Sequence, residues 1–221
     1  MPVLDICTVK IADAFAASLA SARIRETPYR HWLLTDALPD ETLHALAELP
    51  AAPAEIGDTQ GRRETHNSSR RFFAPGNLWD GTCQAVAQTF QAPETVAMLA
   101  EATGAPLEGA SLRIEYCQDR DGFWLEPHTD IGAKLFTMLV YLGDDPAMGT
   151  DIYDTEKRHL GAAPFGFGRG LIFVPGDDTW HGFEKRRIDG VRKSIIVNYV
   201  KPEWRARHEL AFANTPVLFP N

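Results

Sequence analysis

Apolar residues follow two different periods along the chain, and the change falls near residue 105. In the first half they recur every three or four positions, at Ile11, Phe15, Leu19 and Ala22. This spacing places them on one face and predicts a helix over residues 11–24. Three further helices are predicted from proline, acidic and glycine signals at their ends, one from Pro39 to the stop at Pro50, one over 78–90 and one over 93–103.

Two segments of the first half lack the helical period. The short apolar run His31–Leu38 predicts a strand. Residues 57–76 are polar and contain Gly57, Gly61 and Gly76, so they are predicted to form a long loop. We therefore expect residues 1–105 to be a mostly helical buttress for the second half.

From Ala110 onward, short apolar and β-branched runs alternate with turn residues. The runs cover Ser111–Tyr116, Phe136–Leu142, Asp151–Tyr153, Gly170–Val174 and Ser194–Val200. Several short strands at this spacing predict a sandwich or barrel rather than a parallel βαβ sheet. We expect one domain over 1–221, mainly β with supporting helices, with its core in residues 106–201 and the tail 202–221 packed on that core.

The composition is that of an ordinary globular protein, since 44% of the 221 residues are hydrophobic and 24% are charged. With 22 Lys and Arg against 30 Asp and Glu, the formal net charge is −8, which argues against a dedicated nucleic-acid binder. No apolar run reaches the roughly 20 residues of a membrane helix, and residues 1–10 lack a secretory signal pattern. The three distant cysteines, Cys7, Cys83 and Cys117, match neither a disulfide framework nor a zinc site, so a cytoplasmic location is expected.

Candidate chemistry begins at His128-Thr129-Asp130. Residues two apart on a strand point to the same face, so one imidazole and one carboxylate project together. A third candidate, His181, follows 51 residues after Asp130, behind an apolar strand and the turn Pro175-Gly176. Two histidines and one carboxylate are typical ligands of non-haem Fe(II) oxygenases. Each of these residues alone has a common structural explanation, but their order and spacing together favour a metal site.

A candidate anion site follows on the next predicted strand. Arg192 lies 11 residues beyond His181 and shares a strand face with Ser194. A guanidinium beside a hydroxyl suits a carboxylate that needs a bidentate partner and one further donor.

Together these motifs resemble the 2-oxoglutarate and Fe(II)-dependent dioxygenases, and within them the prolyl-hydroxylase-like branch. The resemblance covers roughly residues 110–200, and the first half matches no signature. Besides the ligands, it rests on the segments Leu112–Tyr116, Pro127–Asp130, Phe136–Leu142, Gly149–Asp151 and Gly168–Pro175, and on Gly122.

The resemblance implies a double-stranded β-helix, a cupin-like jelly roll of two facing sheets with the metal at its open mouth. It also implies that His128, Asp130 and His181 hold Fe(II) and form the catalytic centre.

The resemblance further implies that Arg192 pairs with the distal carboxylate of 2-oxoglutarate, with Ser194 assisting. Tyr116 would be a second donor to that carboxylate. Tyr141 shares strand parity with Thr137 and would face the cosubstrate. For both tyrosines, a half-buried place in the core is the alternative.

Three departures from relatives narrow the class. Collagen-type prolyl hydroxylases usually have lysine where Arg192 stands. Alkylation-repair demethylases carry a second arginine six residues later, where this chain has Asn198. Related halogenases replace the carboxylate ligand with a small residue, whereas Asp130 is present here. A hydroxylase acting on something other than nucleic acid is therefore expected.

The implied activity is hydroxylation of a C–H bond of a small metabolite, with release of succinate and CO2 and without a membrane partner. A peptidyl, prolyl-type hydroxylase and a non-catalytic cupin-like binding protein are the alternatives. The arginine-rich loop 57–76 is expected to close over the mouth as a lid, or else to be a solvated connection. Candidate substrate contacts are Arg70, Arg71, Trp124, Asp151 and Trp180.

Overall fold

The computed structural model describes residues 6–62 and 70–220. The α-helices within these ranges are α1 (Ile6–Ala20), α2 (Asp40–Ala47), α3 (Gly81–Gln91) and α4 (Pro93–Thr103). The strands are β1 (Arg23–Arg25), β2 (His31–Leu34), β3 (Arg70–Phe72), β4 (Ser111–Asp119), β5 (Leu125–His128), β6 (Lys134–Tyr141), β7 (Asp151–Tyr153), β8 (His159–Ala162), β9 (Gly170–Phe173), β10 (His181–Phe183) and β11 (Arg192–Val200).

The strands form two antiparallel sheets. The larger sheet has seven strands in the order β1-β2-β9-β6-β11-β4-β3, and the smaller has four in the order β5-β10-β7-β8. In the larger sheet, the nine-residue strands β4 and β11 pair along their whole length. This mainly β, two-sheet arrangement with four helices agrees with the predicted jelly roll.

Strand parity divides the larger sheet into an outer and an inner face. On β4 and β11, Ile114, Tyr116, Val197 and Tyr199 are fully buried in the larger apolar core, together with residues of the helices. Their neighbours one position away point to the other face, because side chains alternate along a strand. That inner face carries the polar residues described below.

The helices cover the outer face. Phe15 of α1 and Phe90 of α3 stack edge to face with ring centroids 5.0 Å apart, and both are fully buried. Proline at the first position of α4 and Gly104 after its last residue set the bounds of that helix, since Gly104 has φ 76°. These bounds are the predicted ones.

The first half contains strands as well as the predicted helices, and β2 lies in the run 31–38 that was predicted as a strand. Three of its segments join the larger sheet, with β2 between β1 and β9, and with β3 on β4. β3 falls inside the predicted long loop 57–76. The sequence pattern did not indicate this strand, because the inward-facing Arg70 is charged and the usual alternation of apolar and polar residues is missing. Residues 63–69 of that loop lie outside the described residues.

Other bounds shift by a few residues. α1 covers Ile6–Ala20 instead of 11–24, and β2, predicted over 31–38, ends at Leu34. β1 and β8 were not predicted because all but one of their side chains are exposed, which leaves no hydrophobic alternation to detect. The three cysteines, all within the described residues, form no disulfide bond.

The tail returns to the sheet. Leu210 bridges Arg113 of β4, and Val217 is fully buried with its amide donating to the carbonyl of Ala110 at 2.8 Å. No helix in the described ranges is long and apolar enough to cross a bilayer.

Candidate active site

A pocket of about 60 Å³ opens between the two sheets, where β5 and β10 face the inner side of β6, β4 and β11. The register of the smaller sheet sets His181 opposite His128. The polar side chains that line the pocket are Arg70, Asp119, His128, Asp130, Lys134, Thr137, Thr150, His181, Arg192 and Ser194.

The two histidines are held in matching orientations. Their ring centroids are 4.5 Å apart. In each ring Nδ1 donates to the carbonyl two residues earlier, that of Glu126 at 2.8 Å for His128 and that of Thr179 at 2.9 Å for His181. Because a carbonyl only accepts, Nδ1 carries the proton and Nε2 carries the lone pair that can ligate a metal. Such a contact on the second ring nitrogen is characteristic of ligating histidines.

Burial lowers the pKa of His181 to about 4. Asp130 opposes this shift, while the neighbouring His128 and Lys134 add to it. His181 is therefore neutral at physiological pH, the form that binds a metal ion.

Asp130 lies at the mouth, with a partner on each carboxylate oxygen. Lys134 Nζ donates to Oδ1 at 2.6 Å, and Thr137 Oγ1 donates to Oδ2 at 2.8 Å. The side chains of Asp130 and Lys134 are only 3% and 4% exposed, so this ion pair is withdrawn from water.

The residues fit Fe(II) in donor type, with two imidazoles and one carboxylate. The Asp130 carboxylate forms an ion pair with the Lys134 ammonium, so its position suits a positive charge. In the described part of the chain, however, no three His, Cys, Asp or Glu side chains are gathered closely enough to hold an ion. Both oxygens of the Asp130 carboxylate accept hydrogen bonds, from Lys134 and from Thr137.

The deep end of the pocket is cationic. Arg192 Nη1 donates to Asp119 at 2.7 Å and its Nε to the carbonyl of Met148 at 2.8 Å. These contacts use two of its five N–H groups, so donors remain for a ligand. Ser194 Oγ is buried and has no hydrogen-bond partner among the described residues, which is the condition expected where a ligand supplies the partner. This end fits the distal carboxylate of 2-oxoglutarate.

Arg70 belongs to the same end of the pocket, which corrects its expected place on a mobile lid. Its Nη1 donates to the other oxygen of Asp119 at 2.9 Å, and its side chain is 7% exposed. Asp119 therefore lies between two guanidinium groups, with Arg192 as its direct cross-strand neighbour. Asp119 was not predicted from the sequence. It lies two residues after Cys117 on β4 and so points to the same inner face, which is the one sequence pattern that could have indicated it.

A chain of buried polar contacts joins the two ends of the pocket, beginning at the deep end with Arg70 Nε, which lies 4.0 Å from Glu115 Oε2. Glu115 is fully buried, forms an ion pair with Arg113 and accepts a hydrogen bond from Asn198 Nδ2 at 3.3 Å. Asn198 Oδ1 is 3.2 Å from the Thr137 hydroxyl, which reaches Asp130. Asn198 thus occupies a place in this chain of contacts, where demethylases carry an arginine.

The two tyrosines do not line the pocket. Tyr116 is on the outer face of β4, and its buried hydroxyl has no hydrogen-bond partner in the described part of the chain. Burial raises its pKa to about 12. Tyr141 lies behind the pocket wall, where its hydroxyl donates to Thr150 at 2.9 Å and its ring is 5.9 Å from the Arg192 guanidinium carbon. Thr137, which shares the parity of Tyr141, does line the pocket.

Four other predicted substrate contacts also lie outside it. Arg71 alternates with Arg70 and points to the outer face, because the two residues are adjacent on β3. Trp124 Nε1 donates to Asp58 at 2.6 Å. Trp180 packs against Lys157, whose Nζ is 4.5 Å from its ring. Asp151 is 1% exposed and is paired with Arg186 and His159, so its carboxylate is engaged in structural contacts.

A second cavity, which we call the outer cleft, adjoins the pocket at His128, Asp130 and Lys134 and has a volume of about 420 Å³. Its walls come from the start of the predicted loop, β5 and the tail. Leu125 also lines both cavities, and the residues that line the outer cleft alone include Gly61, Arg62, Arg113, Glu126, Ile131, Trp204 and Glu209.

Neither a protein-family model nor a curated protein sequence matches the chain. Solved structures do. A 2OG-Fe(II) oxygenase family oxidoreductase from Burkholderia pseudomallei matches with TM-score 0.56 and 16% identity, over 86% of this chain and 90% of that one. A Pseudomonas putida prolyl-4-hydroxylase matches with TM-score 0.53 and 14% identity, over 86% and 93%.

A prolyl hydroxylase from Trichoplax adhaerens, solved in complex with a peptide fragment of the hypoxia inducible factor oxygen degradation domain, matches with TM-score 0.51 and 12% identity, over 88% and 91%. These likenesses establish that the chain has the fold of the prolyl-hydroxylase-like 2OG-Fe(II) oxygenases. The resemblance inferred from the sequence is thus confirmed for the fold.

Replacing Asp119 by asparagine is expected to lower the free energy of unfolding by about 3–5 kcal/mol, because two buried guanidinium groups lose their shared anion. Urea unfolding of the purified protein measures this. Asp189→Asn is the matched control, since Asp189 is 77% exposed and its partner Arg187 is 81% exposed. The control is expected to cost no more than about 1 kcal/mol. Equal stabilities of the two variants would contradict the buried network.

The low pKa of His181 predicts acid lability of the metal-free protein. The unfolded histidine takes up a proton near pH 6.5, whereas the folded one does so near pH 4. The free energy of unfolding therefore falls as the pH is lowered through this window, by up to roughly 3 kcal/mol at about 1.4 kcal/mol per pKa unit. His181→Gln should lose less stability over the same window, while His44→Gln, at an exposed position of α2, should behave as wild type. Urea titrations at pH 7, 5.5 and 4.5 test this, and parallel losses in wild type and His181→Gln would overturn it.

Proposed function

We propose that the chain is an Fe(II)- and 2-oxoglutarate-dependent oxygenase that hydroxylates a C–H bond of a small metabolite. One observation carries the proposal. One pocket at the mouth of the jelly roll has two oriented imidazoles and Asp130 at one end, and at the other end Arg192 with the Ser194 hydroxyl, which has no hydrogen-bond partner among the described residues. The fold shared with 2OG-Fe(II) oxygenases supports it.

In this proposal His128, His181 and Asp130 hold the iron, and Arg192 and Ser194 hold the distal carboxylate of 2-oxoglutarate. When bound, iron and cosubstrate supply the oxidation, in which O2 contributes one oxygen atom to succinate and the other to the substrate as CO2 is released. The protein positions the side chains that hold the iron and the cosubstrate. Asp119 and the carbonyl of Met148 fix the guanidinium of Arg192, and the backbone carbonyls fix both imidazoles.

The buried polar network also controls the charge of the pocket. Arg70 and Arg192 share Asp119, Arg70 also lies 4.0 Å from Glu115, and Lys134 is balanced by Asp130, so the deep end presents two guanidinium groups held by buried carboxylates. An anionic cosubstrate is therefore favoured at this end. Leu139, Phe123 and other apolar side chains line the remaining wall and keep water away from the reaction.

The outer cleft supports a small-molecule substrate. Its volume of about 420 Å³ falls within the roughly 300–1,000 Å³ that is usual for small-molecule sites. It reaches the candidate metal ligands directly, at His128 and Asp130. A peptidyl hydroxylase is the second candidate, because the similar Trichoplax adhaerens enzyme was solved with a peptide. A non-catalytic binding protein is disfavoured by the complete ligand and arginine set.

Removal of Arg192 tests the cosubstrate site. Arg192→Ala is expected to weaken the apparent affinity for 2-oxoglutarate by about 2–5 kcal/mol, since a buried charged contact is truncated. Arg192→Lys should recover only part of this loss, because lysine lacks the planar fork. The measurement is the KM for 2-oxoglutarate in succinate release without primary substrate, with Arg187→Ala as the exposed control. An unchanged KM in Arg192→Ala would remove Arg192 from the cosubstrate site.

Substrate class is tested by the stimulation of succinate release. Fractions of small metabolites are expected to stimulate it, whereas a library of proline-containing peptides is not. Ile131→Trp, at a 59% exposed position on the outer cleft, should reduce the stimulation by narrowing the cleft. Leu160→Trp, at a 57% exposed position on β8, is the matched control and should leave it intact. Stimulation by peptides alone would favour the peptidyl hydroxylase.

A further inference from the structure

A β-bulge turns Lys134 into the pocket. Along β6 and β11, Thr137 pairs with Asn198 and Phe136 with Tyr199, but the next residue of β11, Val200, pairs with Lys134. One residue, Leu135, is therefore extra and packs with the helix-facing core. Without the bulge, regular alternation would place Lys134 on the outer face with Phe136. The backbone thus places a lysine, against the parity of its strand, beside a candidate metal ligand.

This lysine lies where the pocket meets the outer cleft, since it lines both. Its ammonium is 2.6 Å from Asp130 Oδ1, and the pair is almost fully buried. The second oxygen of Asp130 accepts from Thr137. These two contacts hold the carboxylate in the arrangement in which its counter-cation is Lys134.

We propose that Lys134 is an internal cation that takes the place of the divalent metal on Asp130 when no metal is bound. Metal loading then exchanges one cation for another, because Asp130 must release Lys134 to complete the ligand set with His128 and His181. The inference rests on the proposed function and adds a determinant of how tightly, and when, this site takes up its metal.

Two physical effects determine whether Lys134 raises or lowers the affinity for the metal. A buried carboxylate without a counter-charge is unfavourable, so Lys134 stabilises the metal-free state. An ammonium a few ångströms from the metal position also repels a divalent cation through a medium of low dielectric constant. Both effects make the wild-type chain bind metal more weakly than a chain with a neutral residue at 134.

An arrangement in which Lys134 stays on Asp130 would change the metal affinity in the opposite direction. If Lys134 stayed on Asp130 Oδ1 while the metal bound, the lysine would orient the ligand and its removal would weaken metal binding. The direction of the affinity change therefore decides between exchange and orientation.

The experiment measures Mn(II) binding to the metal-free full chain by calorimetry, since Mn(II) is a redox-stable substitute for Fe(II). Lys134→Met is expected to bind Mn(II) about tenfold or more tightly than wild type, an effect equivalent to one buried ion pair. Its metal-free form should melt at a lower temperature than wild type, and Mn(II) should raise that temperature by more. Lys134→Gln gives the same expectation with a polar side chain if the methionine variant does not fold, and Lys134→Arg, which keeps the charge, should bind no more tightly than wild type.

Lys193→Met is the matched control. Lys193 is a partly buried lysine on the outer face of β11, with Nζ 2.5 Å from the carbonyl of Ala47, and its loss should leave Mn(II) affinity unchanged. Equal or weaker Mn(II) binding by Lys134→Met and Lys134→Gln would overturn the exchange while leaving the proposed function intact. Absence of binding by wild type and by both neutral variants would overturn the metal site and the exchange together.

Discussion

Charges buried between the two sheets must be compensated there, and this constraint shapes the interior of the protein. Asp119 is 1% exposed and contacts both Arg70 and Arg192, while Glu115 is fully buried beside Arg113. A single unpaired charge in this interior would cost several kcal/mol. The register of β3, β4 and β11 is therefore tied to the charges as well as to the apolar core, because a shift of one residue would separate every pair.

Strand alternation then decides which side chains can take part in chemistry. The outer face of β4 and β11 meets the helices and is apolar, and Tyr116 belongs to it despite its hydroxyl. The inner face presents the charged residues and Ser194 to the pocket. Fold and site use the same strands, so the core that stabilises the sheet also fixes Arg192 at the depth where it meets a ligand.

The mouth is built differently from the deep end. Backbone carbonyls orient His128 and His181, whose positions follow from the pairing of β5 with β10. Asp130 lies just past the end of β5, and its position depends on Lys134 and Thr137 of β6. In our proposal the imidazoles are ready for a metal and the carboxylate is the ligand that moves, so metal loading is coupled to one buried ion pair.

Local patterns in the sequence determined much of this protein. Pro93 and Gly104 mark the two ends of α4, and β-rich runs between turn residues predicted the long strands β4, β6 and β11. The sequence alone did not reveal that Arg70 is a strand residue or that Lys134 faces inward. Both depend on pairing between segments far apart in the chain: Arg70 is buried because Asp119 receives its charge, and Lys134 turns inward because β11 imposes a bulge on β6. A residue's own neighbours in sequence carry no record of which distant strand will pair with it, so only the tertiary structure decided these two positions.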